Sequence, residues 1–589
     1  MLLNSFFIFA FLSMTLGISH IKLCENRASF VKTLIIGIWT TISIGAVIAL
    51  FMNFAHIPIK LMTISVAYLI CAALIWVYLL LDRKHRIQKF EVRLSEFLGV
   101  VFCIVFVGGI FVKAFGLDLS ISYNCTDAGS HFRLASDILE THRLNRMYFA
   151  ALYNSLIMEM FAPFLTKVTI YKAFILADAS LNLLNILMFY VVASEFVKSK
   201  FSKISIYAVL IFYFLGWPVW SWISGGYVYF GAGITAYLYG IYLLIQLGRS
   251  QQRRVKGYYL TLILLTVFCI SECYLLYAPI FLLTVIVYVL YEKRNVLTKK
   301  NLVLGLLGFA LMGIVIFAAA YWGYFNGNID FVFKAFRFKG GIHTELYRDF
   351  IFLLPINIYL CVTKVKEKRI DIIMLATVCQ IAVVIVALIA KICGFMSDYY
   401  YFKLYYLGWA LQMVGVFQAV NYFWQEKRQV IYYCILPIAI IAAIEITGIN
   451  QKIIVSDSDG VGIFPVITQS INTIKTAHNN KEERRNSLIS LAGWVNNNLQ
   501  NEDVPLATDT SDLLLTWYPA FTNSRVYSVL HLEVFNEEKF DNMITDLKKN
   551  NSKYFAIIQD TKDYYNYKNK LDQFEEVYSD GFYGIYKIE

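Results

Sequence analysis

The sequence predicts a polytopic α-helical membrane protein with about fourteen transmembrane helices and a small α/β domain at its C-terminal end. Apolar runs of about 20 residues, the length that crosses a bilayer core as a helix, recur along the chain up to residue 448. Only 16% of the 589 residues are charged and 58% are hydrophobic, whereas roughly a quarter of a soluble domain is charged. After residue 448 the chain becomes polar, and strand-like runs alternate with helical ones, as in an α/β domain.

Short loops rich in Lys and Arg set the orientation of the predicted spans, because such loops stay in the cytoplasm. They lie at residues 22–32, 82–93, 198–203, 249–256, 292–300, 364–369 and 426–428. Between them we predict spans at residues 2–20, 33–52, 61–81, 96–115, 170–193, 204–222, 229–247, 258–272, 274–291, 301–322, 349–363, 370–392, 403–424 and 429–447. Both termini then lie outside the cytoplasm. These loops also explain the net charge of +11, so it indicates no nucleic-acid partner.

We divide the chain into three parts. Residues 1–95 form an N-terminal extension of three helices, and residues 96–448 form a transmembrane module whose first outer loop is 116–168. Residues 449–589 form the outer α/β domain. In that domain we predict helices and strands by their apolar periodicity. The helices are at 467–478, 482–500 and 537–550, and the strands at 505–509, 525–529, 553–558 and 582–588.

The ten cysteines show neither a C-x-x-C pair nor the spacing of metal ligands. We therefore predict no cofactor; a divalent metal ion is compatible with the sequence, but nothing in it indicates one. The apolar stretch 257–291 is too long for one span and has basic residues at both ends, so we predict two short helices broken near Glu272. A carboxylate is costly in lipid, so Glu272 should face a structural partner or a substrate groove.

The first outer loop holds the strongest candidate for a catalytic group. Asp127 begins an amphipathic helical stretch there, and a carboxylate at the outer face can take the proton of an attacking hydroxyl. The simpler interpretation of Asp127 is an N-cap residue. His131 lies one turn further along; it is a candidate substrate contact, although a packing histidine is the commoner case.

Later outer segments supply cations that could hold a phosphate group. Lys403 follows a run of tyrosines that includes Tyr400, and snorkelling to the membrane interface is the alternative to phosphate binding. Three further candidates come from the preceding outer segment, where a solvated basic face is the alternative. They are Arg337, Lys339 and Arg348.

Residues 127–144, which read DAGSHFRLASDILETHRL, resemble the first outer loop of the GT-C superfamily of membrane glycosyltransferases. That superfamily includes protein O-mannosyltransferases and bacterial aminoarabinose and related lipid-linked sugar transferases. The loop there has an acidic residue, a nearby aromatic and a helix ending in Leu-Glu-Thr-Gly, so the catalytic Asp of the family falls on Asp127. This sequence departs from the pattern at Ala128, where the family often has a second acid, and at His142, where it often has Gly.

The resemblance implies an outer-face enzyme of a bacterial plasma membrane. It would move a sugar from a polyprenyl-phosphate donor to a glycan, lipid or protein acceptor. The Tyr-Tyr-x-x-Lys pattern ending at Lys403 also resembles related bacterial sequences, and there the lysine would meet the lipid phosphate. Two other functions remain open: a Wzy-like polymerase or ligase that uses outer-loop arginines, and a lipid-glycan transporter without covalent chemistry. A transporter predicts inverted repeats, and none is visible in the sequence.

Overall fold

The fold was obtained as a computed structural model. It describes residues 2–23, 29–81, 91–123, 127–144, 149–197, 199–251, 253–293, 346–426, 482–500, 502–509, 516–531 and 534–588, with a few isolated positions between 303 and 337. Most of the predicted span 301–322, the span 429–447, the predicted helix 467–478 and Lys339 lie outside the described residues. The described part forms a helical bundle followed by a β-sheet.

Three helices open the chain: α1 (Leu2–Leu23), α2 (Phe30–Phe54) and α3 (Leu61–Leu81). Glycines let these helices approach closely, as is common between membrane helices. A methyl group at Gly45 of α2 would overlap the phenol ring of Tyr68 in α3. The Thr40 hydroxyl of α2 lies 2.7 Å from the phenol oxygen of Tyr239, so this extension is also joined to the rest of the bundle by a buried hydrogen bond.

The following helices build the bundle, with α5 and α6 lying in the predicted first outer loop. They are α4 (Leu94–Phe115), α5 (Asp127–Thr141), α6 (Phe149–Phe161), α7 (Tyr171–Ser194), α8 (Lys200–Leu215), α9 (Trp217–Gly225), α10 (Val228–Arg249), α11 (Arg253–Tyr274), α12 (Tyr277–Lys293), α13 (Leu346–Lys366), α14 (Ile372–Ile392) and α15 (Asp398–Glu426). Within the described ranges, eight helices are long and apolar enough to cross a membrane: α1–α4, α7, α10, α11 and α14. The chain is therefore a polytopic membrane protein.

One predicted span is not a single helix. We expected residues 204–222 to cross as one segment, whereas α8 ends at Leu215 and α9 begins at Trp217. Gly216 between them packs so closely on the Trp409 ring that a Cβ atom there would overlap it. Pro218 occupies the first turn of α9, where its missing N–H costs nothing, but it cannot continue α8. The predicted hairpin over 257–291 has its break between Tyr274 and Tyr277.

The two ends of the bundle differ in chemistry. At one end the basic loops meet: Lys32 at the start of α2 pairs with Glu195 after α7 at 3.1 Å, and Arg249 at the end of α10 pairs with the same carboxylate. At the other end, α2 runs into the outer-loop helices, where the Ile59 amide donates to the His142 carbonyl at 2.8 Å. Helix α5 therefore lies at the opposite end of the bundle from this basic cluster.

Residues 482–588 form a mixed six-stranded sheet with helices. The helices are α16 (Glu482–Asn498), α17 (Trp517–Thr522), α18 (Glu537–Lys549) and α19 (Tyr564–Leu571). The strands are β1 (Leu506–Asp509), β2 (Val526–His531), β3 (Val534–Phe535), β4 (Tyr554–Ile558), β5 (Glu575–Ser579) and β6 (Tyr583–Lys587), in the order β3-β2-β1-β4-β6-β5. The central strand β1 pairs in parallel with β2 and β4, and the other pairings are antiparallel.

Candidate active site

Asp127 is the first residue of α5 and is partly buried at the α5 end of the bundle. The residues just before it are held by two buried hydrogen bonds. The Tyr123 phenol donates to the Asp178 carboxylate of α7 at 2.7 Å, and Arg485 of α16 donates to the Ser122 hydroxyl at 3.2 Å. The start of α5 is therefore tied both to a membrane helix and to the C-terminal domain.

Asp178 is a buried carboxylate, and each of its oxygens accepts a hydrogen bond. Tyr123 donates to Oδ2, and the Asn154 amide of α6 donates to Oδ1 at 3.0 Å. A buried carboxylate without such donors would be strongly destabilising. The network joins α6 and α7 to the segment that precedes Asp127.

Helix α5 is clamped between the bundle and α17. The Phe132 ring stacks on Trp517 of α17 with centroids 5.1 Å apart, and it meets Phe174 of α7 edge-on at 5.5 Å. Gly129 lies against Thr516, where any Cβ atom would overlap that residue. The apolar face of α5 therefore packs on both the helical bundle and the sheet domain. Asp127 lies at the first position of this helix.

Lys403 of α15 is buried in a cage of aromatic rings. Its Nζ atom lies 3.4 Å from the Tyr399 centroid, 5.1 Å from Phe230, 5.5 Å from Tyr400, and 6.0 Å from Tyr229 and Tyr274. Aromatic faces attract a cation and allow an ammonium group to be buried at lower cost. The Tyr277 phenol donates to the Lys403 carbonyl at 3.4 Å, which fixes the backbone at this point.

Lys403 and α5 belong to one electrostatic site. Burial raises the pKa of Asp127 above its ordinary value, and the charge of Lys403 opposes that rise. Burial, together with the positive charge of Lys403, lowers the pKa of His131 to about 4. The His131 ring also lies 4.8 Å from Tyr229, one of the cage rings. We call Asp127, His131, Lys403 and the cage rings the Asp127–Lys403 site.

The structure also gives the positions of three other residues that the sequence predicted for the site. Arg337 is exposed and follows Phe336, whose carbonyl accepts from the Ser397 amide at 2.9 Å and whose ring lies 5.6 Å from Tyr400. This contact places Arg337 beside the start of α15. Glu272 is buried in α11, two residues before the cage residue Tyr274. Arg348 lies in the first turn of α13, and its side chain is outside the described atoms.

Sequence reasoning missed most of the cage. Tyr229, Phe230 and Tyr274 come from α10 and α11, and in the sequence they are three aromatics among many. Tyr399 belongs to the tyrosine run that precedes Lys403. Its position four residues before Lys403 predicts that the two side chains are neighbours on one face of a helix. Across the described residues, no group of three His, Cys, Asp or Glu side chains is close enough to hold a metal ion.

No family model matches the chain, and no curated protein sequence matches it. The fold is similar to the crystal structure of ArnT from Cupriavidus metallidurans bound to undecaprenyl phosphate, with a TM-score of 0.50 and 13% identity over 84% of this chain and 98% of ArnT. The apo state of the same ArnT gives a TM-score of 0.51 with the same identity and coverage. The fold expected from the resemblance of the Asp127 loop is thereby confirmed, because the chain shares the overall fold of this ArnT.

Proposed function

We propose that this protein is a glycosyltransferase that moves a sugar from a polyprenyl-phosphate donor to a hydroxyl of a cell-envelope acceptor. The observation that carries the proposal is that α5, which begins with the partly buried carboxylate of Asp127, meets the aromatic cage of the buried Lys403 ammonium through the contact of His131 with Tyr229. A base and a phosphate-binding cation are the two groups that such a transfer requires. The fold similarity to ArnT, which was crystallised with undecaprenyl phosphate, supports the donor class.

In the proposed reaction, Asp127 accepts the proton of the acceptor hydroxyl as its oxygen attacks the anomeric carbon of the donor sugar. The bond from that carbon to the phosphate oxygen breaks, and the electron pair leaves with the polyprenyl phosphate. Lys403 stabilises the charge that develops on the phosphate, and Arg337 beside the start of α15 is a second cation for it. Direct attack inverts the configuration at the anomeric carbon.

The environment of Asp127 suits a general base. A carboxylate with a raised pKa holds a proton more strongly than an ordinary one, and a base works best when its pKa approaches the working pH. His131 has a pKa of about 4 and is neutral at pH 7, so its ring can hydrogen-bond to substrate hydroxyls without adding charge. The cage around Lys403 excludes water, which strengthens its attraction to a phosphate.

We place this site at the outer face of a bacterial plasma membrane, in a chain of about fourteen spans oriented by its basic loops. The Lys32–Glu195–Arg249 cluster lies at the opposite end of the bundle from α5. The sheet domain contacts α5 through Trp517, so it shares the side of the active site and would be extracytoplasmic. The three N-terminal helices are an extension beside the catalytic module.

The test compares Asp127→Asn with Asp118→Asn, which removes an exposed carboxylate from the same loop. Both variants and the wild type are expressed at equal membrane levels in a deletion strain, and the envelope glycans are compared by mass spectrometry. We expect Asp118→Asn to restore the parental glycan, and Asp127→Asn to reduce transfer by about 10²-fold or more. Full restoration by a correctly inserted Asp127→Asn variant would refute the proposal.

The same assay separates the rival functions. A polymerase or ligase that uses outer-loop arginines would lose activity with Arg337→Ala and Arg348→Ala and keep it with Asp127→Asn. A transporter without covalent chemistry would still support the parental glycan in the Asp127→Asn variant, because it needs no base.

A further inference from the structure

A cavity lies along α5, away from Asp127. It has a volume of about 910 Å³ and lies between α5 and the sheet domain, beside the contact of Gly129 with Thr516. The α5 wall includes Ser130, Arg133 and Asp137, and the facing wall includes Asn523 after α17 and Tyr527 of β2. Asp127 does not line it, so this interdomain cleft is distinct from the Asp127–Lys403 site. Its volume lies near the upper end of the range for small-molecule pockets, which allows a ligand larger than one sugar ring.

The charges in the cleft are internally compensated. Arg133 and Asp137 are one turn apart on α5, and Arg133 opposes the rise that burial causes in the pKa of Asp137. On the facing wall, Arg525 pairs with Asp503 at 2.9 Å and with Asp546 at 3.4 Å. A site for a phosphate or another strong anion needs cations that are not already neutralised. The cleft therefore favours a ligand without net charge.

The remaining lining groups combine hydrogen bonding with apolar surface. Ser130 and Asn523 are exposed and present a hydroxyl and an amide, which both donate and accept, and one donor of the Asn523 amide already binds Glu140 at 3.4 Å. Leu134, Pro519 and the Tyr527 ring supply apolar faces between them. A saccharide has this same mixture, because its hydroxyls are donors and acceptors and its ring C–H faces pack on apolar side chains.

We infer that the interdomain cleft binds the glycan portion of the acceptor, a neutral and hydroxyl-rich oligosaccharide. This rests on the proposed function for its role, and it narrows the acceptor class to a saccharide. The cleft runs along α5 from Ser130, one turn after Asp127, to Asp137. At 1.5 Å per residue the helix rises about 15 Å from Asp127 to Asp137, so a chain of sugars seated in the cleft can extend one end towards the base.

The test measures binding directly on the purified full chain in nanodiscs. The probes are neutral tetrasaccharides of glucose, galactose, mannose and N-acetylglucosamine, together with inorganic phosphate and undecaprenyl phosphate. Ser130→Trp fills the cleft and Arg133→Ala removes a donor from its wall. Their matched controls are Thr141→Trp and Arg143→Ala, which change exposed residues beyond the α5 wall of the cleft.

We expect at least one tetrasaccharide to bind the wild type, with its Kd raised about tenfold or more by Ser130→Trp and Arg133→Ala and unchanged by the two controls. Undecaprenyl phosphate should bind all five proteins equally, which shows that the variants are folded. The inference is overturned if no tetrasaccharide binds, if Ser130→Trp leaves its Kd unchanged, or if only inorganic phosphate responds to Arg133→Ala. Retained transfer by Asp127→Asn would instead refute the proposed function and leave the saccharide site standing.

Discussion

The Nζ atom of Lys403 lies 3.4 Å from the centroid of the Tyr399 ring, one helical turn earlier on α15. This contact explains how an ammonium group can be buried at the end of a membrane bundle. The ring face replaces part of the lost hydration, and four more rings complete the cage. The lysine is thereby held in one place before a phosphate arrives, which reduces the ordering cost of binding.

Tyr399→Leu should weaken binding of undecaprenyl phosphate, because it removes the closest ring from the cage. A cation–π contact contributes about 0.5–2 kcal/mol, so we expect the Kd to rise about two- to thirtyfold. Tyr399→Phe keeps the ring and should bind nearly as well as the wild type. Tyr565→Leu, at a highly exposed tyrosine of the sheet domain, is the control for a lost surface ring. Equal affinities for Tyr399→Leu and Tyr399→Phe would show that the ring does not hold Lys403.

The pH dependence of transfer should report Asp127. The base acts only when it is ionised, and burial raises its pKa, so kcat/KM should fall as the pH decreases through a value above the ordinary 3.8 of an aspartate. Lys403 favours the ionised form. Lys403→Met should therefore move the acid limb to higher pH, whereas Lys403→Arg keeps the charge and should leave the limb in place.

His131 could also produce an acid limb, because its pKa of about 4 lies in the acid range and responds to Lys403. The control is therefore a His131→Gln background. In a His131→Gln background the acid limb should persist and should still move with Lys403→Met. Loss of the limb in that background would assign it to His131 and would remove the support for Asp127 as the base.

Asp178→Asn should destabilise the protein and impair transfer together. An asparagine offers one acceptor oxygen where the carboxylate offered two, so either Tyr123 or Asn154 would face an amide donor. A buried polar group left unsatisfied costs about 1–3 kcal/mol. The unfolding midpoint in detergent, followed by tryptophan fluorescence, is the measurement. Tyr123→Phe combined with Asp178→Asn should be less destabilised than the sum of the single changes, and strict additivity would show that the two groups do not interact.

Both charged groups of the candidate site stand in local sequence patterns, which is why the sequence alone singles them out. Asp127 begins an amphipathic helix in a polar loop, and Lys403 follows a tyrosine run at the start of a late helix. Their closeness could not be derived from either pattern, since it depends on how α5, α10, α11 and α15 pack. The aromatic cage is a tertiary feature for the same reason: Tyr229, Phe230 and Tyr274 have ordinary positions on apolar helices.

Elements with strong periodicity were easier to predict than those at the edges of the sheet. The predicted runs at 525–529 and 553–558 correspond to β2 and β4, which lie in the sheet interior. The two edge strands were not predicted. β3 has only two residues, and β5 begins with Glu575 and Glu576, which are exposed and carry no apolar pattern. Edge strands commonly carry charges that prevent further pairing, so their sequence signal is weak.

The break in the predicted span 204–222 was visible in the sequence and was outweighed by its hydropathy. Gly216 and Pro218 stand two residues apart, a combination that ends one helix and begins another. The fold uses this break to bring Trp409 of α15 against Gly216, where its indole nitrogen donates to the Tyr213 carbonyl at 3.1 Å. Tight packing of a large ring against a glycine depends on tertiary contacts and cannot be read from composition.

The contact between Gly129 and Thr516 yields the last prediction, because it joins α5, the helix of the candidate base, to the sheet domain without space for a side chain. A Cβ atom at Gly129 would lie 2.9 Å from both the carbonyl carbon and the Cβ of Thr516, well inside normal contact. Gly129→Ala should therefore push α5 away from α17, lower stability by about 1–3 kcal/mol as overpacking does, and reduce transfer by moving Asp127.

Gly109→Ala is the matched control, since a Cβ atom at that helical glycine meets nothing within 4 Å and alanine favours a helix. Thr516→Gly removes the Oγ1 and Cβ atoms of Thr516 and leaves only its carbonyl carbon to clash. Gly129→Ala should therefore lower stability and transfer less in the Thr516→Gly background than in the wild type. The measurements are the unfolding midpoint and the transfer rate of the four variants. If Gly129→Ala unfolds at the same temperature as Gly109→Ala, α5 is not held by the sheet domain, and the clamp on the candidate base must come from the bundle alone.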